Sequence, residues 1–429
     1  MNSERELTHD QPRAQSKPFS WHNNSALYIS APPHSGADEL SGAGHGSCDA
    51  RCVKKSISCS PSPNSHRLAA LVLLGCLLLS PTNVLAFETD QYDLPPVPLA
   101  DIGDEVSEHV ERKLHQAVDK IDAEISIRQR CVSGYADGGP ERGCDSLRAE
   151  ISKLAYLRTD AAMVDAAFEE LGAGVPPFTS MGTWMDTHHF RGQPARYRTS
   201  YVKSIFVLFP PIALTISPTV NMYGSEFGTD KIAHLFQQGY TYYKIYHRAL
   251  AEGVTPEEAT AKAVRWGQKS ERTFFGTLVA GVYSNGDLAA NYVGLKFYEG
   301  LTQTINLGDS THPAVLLLKD GLWTFNDGAS LGDVLLKPFI SDHLNEALNP
   351  SIFTKNLGLR WYIRRTVRKR SCAQWFERYP ELSKSGLDEE SRSLRLWQGE
   401  DYGFTDSEHF VTIANTCFEE EEVARASRP

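Results

Sequence analysis

Basic residues are in the minority, and internal repeats are missing. The 429 residues include 43 Lys and Arg against 53 Asp and Glu, which gives a net charge of −10 at pH 7. A surface that binds nucleic acid needs clustered positive charge, so nucleic acid is not an expected partner. No period of about 20 to 50 residues recurs, which excludes a repeat solenoid.

Familiar catalytic motifs are absent as well. The chain has no Gly-x-Ser-x-Gly segment, no His-Glu-x-x-His segment and no glycine loop that would bind phosphate. The four cysteines after residue 86 lack the spacing of a thiolate zinc site. These absences exclude the most recognisable hydrolase and nucleotide-binding classes without indicating a reaction.

Long apolar runs are also scarce, and the run near residue 70 has the features of a secretory signal. His66 and Arg67 precede an apolar stretch over 68–79, and the segment ends in Val-Leu-Ala at residue 86. This stretch is shorter than the roughly 18 to 20 residues of a spanning helix. We therefore predict a signal peptide over 65–86, cleavage after Ala86, and an exported mature chain that starts at Phe87 and has no transmembrane span.

The leader leaves two alternatives open. Residues 1–64 are rich in Ser, His, Pro, Gly and Asn without apolar periodicity, which predicts a disordered leader or a start site placed too far upstream. The Leu-Leu-Gly-Cys segment that ends at Cys76 is close to a lipoprotein cleavage box, so a lipid anchor there is the alternative to cleavage at Ala86. Apolar residues continue beyond Cys76, which favours cleavage.

The cysteines that follow the signal predict two disulfides. An oxidising compartment favours disulfides, and four cysteines allow three pairings. Cys131 and Cys144 flank a loop rich in Gly, Asp and Pro. We therefore predict that these two are paired, which leaves Cys372 bonded to Cys417.

Apolar spacing predicts a mainly α fold. Apolar residues three and four positions apart indicate helices over 104–130 and 145–171, which would form a helical hairpin closed by the first disulfide. The predicted organisation is a hairpin arm over 87–175 and a main helical domain over 176–429. The arm is interpreted as a cap on the main domain, with a partner-binding arm as the alternative.

Three central helices are the clearest elements of the main domain. The first is predicted from a Thr229 cap to about 251. Thr255, Pro256 and Glu258 are typical of a helix start, which predicts a second helix to about 282. The third helix is predicted over 288–304, and a short hairpin over 314–325 follows. The expected fold is a multi-helix bundle with an N-terminal helical hairpin and an irregular, partly β C-terminal part.

Three other segments are interpreted as structural. Pro176, Pro177 and Pro194 predict an irregular stretch over 172–198, whose adjacent histidines at 188 and 189 are expected at the surface. The apolar run over 205–216 is expected in the core, with contact to a bilayer surface as the alternative. The basic run over 360–370 is expected to be a solvated helix face, with binding to anionic lipid headgroups as the alternative.

One set of polar residues in the central helices has spacing suited to chemistry. Asp230 and His234 are one helical turn apart, and Asp287 and Asn291 repeat that spacing. Glu271 lies between them in sequence on a largely apolar helix face, where a lone carboxylate is costly. His234, Glu271 and Lys231 are the candidate catalytic residues, and Asp230, His234 and Asp287 are candidate ligands of a divalent metal, with Zn, Mn or Fe favoured over Ca. A purely structural network is the alternative.

This set resembles a known family. The segments Asp230-Lys231-Ile-Ala-His234 and Asp287-Leu-Ala-Ala-Asn291-Tyr-Val-Gly294, with a helical Glu between them, resemble VanZ-like domains and the related YfiM-type bacterial envelope lipoproteins over 229–301. The resemblance implies a bacterial envelope protein in which these polar positions form the site. VanZ-like domains are integral membrane bundles, and this chain's helices are too polar for that, so the lipoprotein branch is the closer fit.

Two functions from different classes follow. The first is an exported envelope enzyme, in the periplasm or lipid-anchored, that hydrolyses or transfers a group on a lipid-linked or glycan substrate by acid/base or metal-assisted chemistry. The second is a non-catalytic envelope protein with a structural polar network and a hairpin that binds a partner. Convergence of His234, Glu271 and Asp287 in an open cleft favours the first, and full burial with every group paired favours the second.

Overall fold

The computed structural model describes residues 88–418, apart from 137–138, 140–141, 176–177, 210–215, 274–275, 279 and 355–357. The predicted leader, signal peptide, Cys76 and Phe87 lie outside these residues. Within them the fold is mainly α, with small separate antiparallel sheets, and the C-terminal part is partly β. None of the helices formed by these residues is long and apolar enough to cross a membrane.

The α-helical segments of the described residues, in chain order, are α1 Gly103–Ala136, α2 Leu147–Leu157, α3 Asp160–Leu171, α4 Ser180–Thr187, α5 Thr229–Ala233, α6 Gly239–Ala251, α7 Pro256–Glu271, α8 Asn285–Thr302, α9 Leu331–Val334, α10 Leu359–Arg370, α11 Cys372–Arg378, α12 Lys384–Ser393 and α13 Ile413–Cys417. The strands are β1 Gly174–Val175, β2 Phe178–Thr179, β3 Thr219–Met222, β4 Ser225–Gly228, β5 Val282–Tyr283, β6 Ile305–Leu307, β7 Ser310–His312, β8 Leu316–Lys319, β9 Leu322–Phe325, β10 Ser351–Phe353 and β11 Phe410–Val411. The sheet with three strands has the order β11-β10-β5, and the other strands pair as antiparallel neighbours in sequence.

The arm differs in detail from its prediction. The stretch over 145–171 is two helices, α2 and α3, because Thr159 leaves the helical conformation and its side chain accepts a hydrogen bond from the N–H of Ala162 as the cap of α3. Disulfides join Cys131 to Cys144 and Cys372 to Cys417, the pairing that the spacing predicts. α1 also packs into the same core cluster as α6 and α8, through residues such as Val110 and Leu114.

The central helices match the sequence best at their starts. Ser284 caps α8 by accepting a hydrogen bond from the N–H of Asp287, so the helix begins at Asn285, three residues before its predicted start at 288. Thr255 caps α7 as predicted, through the N–H of Glu258. The cap of α5 is Gly228, and Thr229 is its first residue, which corrects the prediction.

The largest errors are at two other positions. α7 ends at Glu271 rather than near residue 282, because the chain turns at Gly276, Gly281 has a φ of 73°, and β5 follows. The stretch over 172–198 is not wholly irregular, since Thr179 caps the two-turn helix α4 between the prolines. The predicted hairpin is present as β8 and β9.

Two core clusters surround the polar site. The larger contains the apolar faces of α1, α3, α6 and α8. The smaller contains Tyr92, Ile205 and Phe206 with the buried sides of α10, α11 and α13. The N-terminal segment 88–92 is almost wholly buried and lies beside the site, so the first described residues are part of the interior.

Candidate functional site

The helix that carries the predicted site changes its winding at His234. α5 continues into a π turn, His234–Gln238, before α6 begins. Such turns are rare and are frequently found at functional sites. Gly294 of α8 faces this turn, and a Cβ there would lie 2.1 Å from the carbonyl oxygen of Leu235. The close approach of α8 to the π turn therefore requires glycine at this position.

Lys231 is the centre of one half of the site. Its Nζ lies 2.6 Å from Oδ2 of Asp230, 2.6 Å from Oδ1 of Asp287 and 2.8 Å from Oε1 of Glu346. The Lys231 side chain has no exposed surface. A buried ammonium of this kind is tolerated only with close counter-charges, and here it has three.

Two hydroxyl groups add hydrogen bonds to the carboxylates of this half. Thr89 Oγ1 donates to Oδ1 of Asp230 at 2.8 Å, and Ser284 Oγ donates to Oε1 of Glu346 at 2.6 Å. We call Lys231, Asp230 and Glu346, with these two hydroxyl residues, the Lys231 group. Its polar atoms are well paired, and it joins four separate segments of the chain.

The electrostatics of the Lys231 group agree with this geometry. Burial lowers the pKa of Lys231, but Asp230 and Asp287 raise it more, so the net direction is well above its ordinary value. Burial and neighbouring carboxylates raise the pKa of Glu346 to about 7 although Lys231 opposes the change. The lysine is therefore a permanent cation at neutral pH.

His234 begins the other half of the site. Its Nδ1 lies 3.0 Å from Oδ1 of Asn291, and its Nε2 lies 3.5 Å from Oδ2 of Asp287. With the Asn291 oxygen so assigned, Nδ1 carries the proton, and the lone pair of a neutral ring is on Nε2. His234 is 9% exposed, whereas Glu271 has no exposed surface and Asp287 is 1% exposed.

Glu271 is the least satisfied carboxyl group of the site. Neither of its oxygens makes a well-directed hydrogen bond within the described residues. It is the last residue of α7, where the helix dipole disfavours negative charge, whereas Asp287 is in the first turn of α8, where that charge is favoured. We call His234, Glu271 and Asn291 the His234 group, and Asp287 belongs to both groups.

The two carboxyl groups that meet at His234 have opposite pKa shifts. Burial and the charge of Asp287 raise the pKa of Glu271 well above its ordinary value, against the opposing effects of Lys231 and the nearby amide of Ser284. Burial also raises the pKa of Asp287, but the nearby His234 and Lys231 outweigh it and lower the net value. These shifts favour the anionic form of Asp287 and the protonated form of Glu271.

Two sets of ligand atoms converge on Asp287. One atom each from His234, Glu271 and Asp287 lie within 4.8 Å of one another, and so do atoms from Glu88, Asp287 and Glu346. Burial, followed by the charges of Glu346 and Asp287, raises the pKa of Glu88 well above its ordinary value. The mixed set with one nitrogen suits Zn, Mn or Fe, whereas the second set has carboxylate oxygens only.

The structure brings the predicted site residues together in a different grouping from the one predicted. The six predicted residues lie in one buried cluster. Asp230, a predicted metal ligand, faces Lys231 and Thr89, and Glu271 takes its place beside His234 and Asp287. Lys231, a predicted catalytic residue, is enclosed by carboxylates. His188, one of the two neighbouring histidines at 188 and 189, lies outside the cluster. Its Nε2 is 2.8 Å from Oε1 of Glu105.

Sequence reasoning missed two acidic members of the cluster. Glu88 is the second residue after the predicted cleavage site, and Glu346 lies in an irregular stretch after a 3-10 turn, so neither has a periodic signal. The one available signal was the apolar surroundings of Lys231, which require buried counter-charges somewhere in the chain.

Two described cavities lie near the cluster without opening onto it. A cavity of about 400 Å³ is lined by Gln91, Asn345 and Trp375 among others, and one of about 600 Å³ is lined by Val264, Gln268 and others. None of the six predicted site residues lines either cavity. The site is thus not an open cleft, and it is not a buried network in which every group is paired. It is buried, and some of its groups lack a hydrogen-bond partner within the described residues.

The chain was also compared with known proteins. It matches no protein-family model, no curated protein and no solved structure.

Proposed function

We propose that this chain is an exported cell-envelope enzyme, periplasmic or attached to the envelope, whose His234 group performs metal-assisted hydrolysis or group transfer on a lipid-linked or glycan substrate. The observation that carries the proposal is the convergence of His234, Asp287 and the unpaired Glu271 within 4.8 Å. The alternative is a non-catalytic envelope protein with a structural polar network.

The geometry at His234 requires a positive charge. With its proton on Nδ1, a neutral ring directs the Nε2 lone pair at the Oδ2 of Asp287, 3.5 Å away. Two facing acceptors repel each other, and 3.5 Å is too long for a well-formed N–H···O hydrogen bond. A proton on Nε2 relieves this repulsion, and so would a metal ion bound to both atoms.

The neighbouring groups favour a divalent metal. Glu271 adds a second carboxyl group to the set, so one nitrogen and two oxygens lie within 4.8 Å of one another, a ligand combination found for Zn²⁺. Asn291 holds the other ring nitrogen, the outer-shell arrangement that fixes the tautomer of metal-binding histidines. Lys231 holds the remaining oxygen of Asp287 and thereby directs Oδ2 towards His234.

The proposed chemistry follows from these positions. A divalent cation in the His234 group would polarise a carbonyl or phosphoryl oxygen and lower the pKa of a water molecule. Glu271 is suited to give or take a proton there, because its pKa is raised and neither of its oxygens makes a well-directed hydrogen bond within the described residues. His234 is the member of the group with exposed surface, so we place the approach of substrate on its side.

Export and the choice of substrate rest on the sequence. The signal-like segment over 65–86, two disulfides and the resemblance of 229–301 to envelope lipoproteins support an envelope location. A fusion of residues 1–100 to a reporter that works only outside the cytoplasm should be active. A silent reporter would count against export.

The reaction can be tested without a known substrate. Lipid and glycan extracts of a bacterial envelope are incubated with the purified protein and compared by mass spectrometry before and after. We expect a product that falls by about 10²- to 10⁴-fold with Glu271→Gln, the range of a lost general acid or base. Glu299→Gln is the matched control, because Glu299 is a largely buried acid of α8 whose pKa burial raises to about 7 and which lies outside the cluster. Equal product from wild type and Glu271→Gln would contradict the proposed role.

One observation favours the structural alternative for part of the molecule. The Lys231 group is almost fully paired, as a structural network would be. α2 also exposes half of the surface of Ile151 and Tyr156, as an arm that binds a partner would. This function predicts that Glu271→Gln changes stability and leaves every extract unaltered.

A further inference from the structure

The exposed side of α10 carries a stripe of large and basic residues. Trp361, Arg365 and Lys369 are spaced four residues apart, lie on one face and are exposed, and Trp361 has 64% of its surface open. The opposite face of the helix, through Ile363 and Val367, is packed in the smaller core cluster. The packing of this opposite face therefore keeps the stripe on the outside of the protein.

Three cations of this surface form no ion pair with the acidic residues that the structure describes. α10 contains six Arg and Lys and no Asp or Glu, in a chain whose net charge is −10. Neither Arg365 nor Lys369 forms an ion pair within the described residues, and the same is true of Arg370. The Arg365 guanidinium lies 5.1 Å from the centre of the Trp361 indole, so charge and ring are presented together.

Exposed apolar residues adjoin the basic end of the helix. Arg370 donates a hydrogen bond to the carbonyl oxygen of Lys203 at 2.6 Å, which places the 3-10 turn Tyr201–Lys203 beside the end of α10. Val202 in this turn is 69% exposed, and Leu208, six residues further along the chain, is 50% exposed. We call Trp361, Arg365, Lys369 and Arg370, with Val202, Lys203 and Leu208, the α10 surface.

We propose that the α10 surface docks the protein on a lipid bilayer that contains anionic headgroups. Unpaired Arg and Lys complement the negative surface potential of such a membrane, and each is worth about a fivefold change in binding near the surface. Tryptophan places its apolar ring and polar N–H at the level of the headgroups, and aliphatic side chains enter the acyl boundary. A soluble polyanion would use the cations and leave the Trp361 ring and the aliphatic residues without a role.

The surface is independent of the proposed reaction. α10 belongs to the smaller core cluster, whereas the His234 group is packed against α8 and the π turn of the larger one. A failure of membrane binding would not contradict the proposed reaction of the His234 group. A failure of that reaction would not contradict membrane binding by the α10 surface.

Vesicle binding tests the proposal. The full chain is sedimented with vesicles of phosphatidylcholine alone and with vesicles that also contain phosphatidylglycerol. We expect binding to the second only, lost at high salt, and about 25-fold weaker when Arg365→Gln and Lys369→Gln remove two charges. Trp361→Ala should weaken binding further, and a bilayer-confined quencher should reach the Trp361 fluorescence of the bound protein.

Matched variants and a soluble polyanion make the result decisive. Lys319→Gln with Lys337→Gln removes the same two charges from exposed positions on β8 and on another turn, and should bind as wild type does. Circular dichroism establishes that each variant is folded. The proposal is overturned if phosphatidylglycerol vesicles fail to bind, if the two pairs of variants behave alike, or if dextran sulfate binds as tightly as the vesicles with no effect of Trp361→Ala.

Discussion

The Lys231 group and the His234 group share Asp287 and the same buried surroundings, yet they differ in how completely their polar atoms are paired. Lys231 has three carboxylate oxygens within 2.8 Å. Glu271 has no well-directed hydrogen bond within the described residues, and Nε2 of His234 is 3.5 Å from its nearest carboxylate partner. A fully paired polar network stabilises the fold, whereas buried acceptors that lack a cation are available to bind one.

The largest expected effect concerns the paired half. Lys231→Met should lower the free energy of unfolding by about 3 to 5 kcal/mol, because it leaves buried carboxylates without their cation. Urea denaturation measures the change. Lys262→Met is the matched control, since Lys262 is paired with Glu252 at an exposed position and should cost less than about 1 kcal/mol. A small loss for Lys231→Met would show that this half is not structural.

The next effect concerns pH and the buried segment beside the Lys231 group. Burial raises the pKa of Asp90 from 3.8 to about 7, although the N–H of Ile205 opposes the change. The folded state therefore binds the proton more tightly than the unfolded state, and the contribution of Asp90 to stability is lost as pH rises from about 4 through 7. We expect a slope of up to about 1.4 kcal/mol per pH unit in that window.

Asp90→Asn tests the assignment of this slope. Unfolding is followed at several pH values for the wild type and the variant. The free energy of unfolding of the variant should depend less steeply on pH, by the contribution of about one proton. Asp186→Asn is the control, because Asp186 is exposed and paired with Arg198 at 3.0 Å. An unchanged slope in Asp90→Asn would show that another group titrates.

A third effect concerns how the π turn positions the His234 group. Gly294→Ala places a methyl group against the carbonyl oxygen of Leu235 and should cost about 1 to 3 kcal/mol through overpacking. Gly300→Ala on the same helix meets only the flexible end of Ile305 at 2.9 Å and should cost less. Thermal unfolding compares the two. Equal losses would mean that the close helix contact at Gly294 is not specific.

The sequence predicted the paired half less well than the unpaired half. Spacing along α5 and α8 identified His234, Asp287 and Asn291, because residues four apart share a helix face. Glu88 and Glu346 come from segments without periodicity, so tertiary contacts alone bring them to Lys231. Which carboxylate faces Lys231 and which faces His234 depends on how the helices pack against each other. The spacing of residues in the sequence does not encode that packing.

The errors in the fold have similar causes. Periodicity located α1, because a long amphipathic helix repeats its pattern many times, whereas cap and start residues located the central helices. The prediction failed at the end of α7, where apolar residues follow Glu271 in the sequence but Gly281 takes a φ of 73° that a helix does not allow. That failure matters, because ending α7 at Glu271 places its carboxyl group at the helix terminus inside the site.

The most direct test of the difference between the Lys231 group and the His234 group is the effect of a divalent metal on the stability of the wild type and of Glu271→Gln. Metal-free protein is titrated with Zn²⁺, Mn²⁺ or Fe²⁺ while thermal unfolding is followed. We predict that one of these ions stabilises the wild type by about 2.7 kcal/mol at a hundred times its dissociation constant. Glu271→Gln should be about as stable as the metal-free wild type and should gain nothing from the ion, because it retains the shape of the glutamate but not its charge. A wild type that no ion stabilises, or a Glu271→Gln variant that loses about 3 to 5 kcal/mol as a broken structural pair would, contradicts the proposed metal centre.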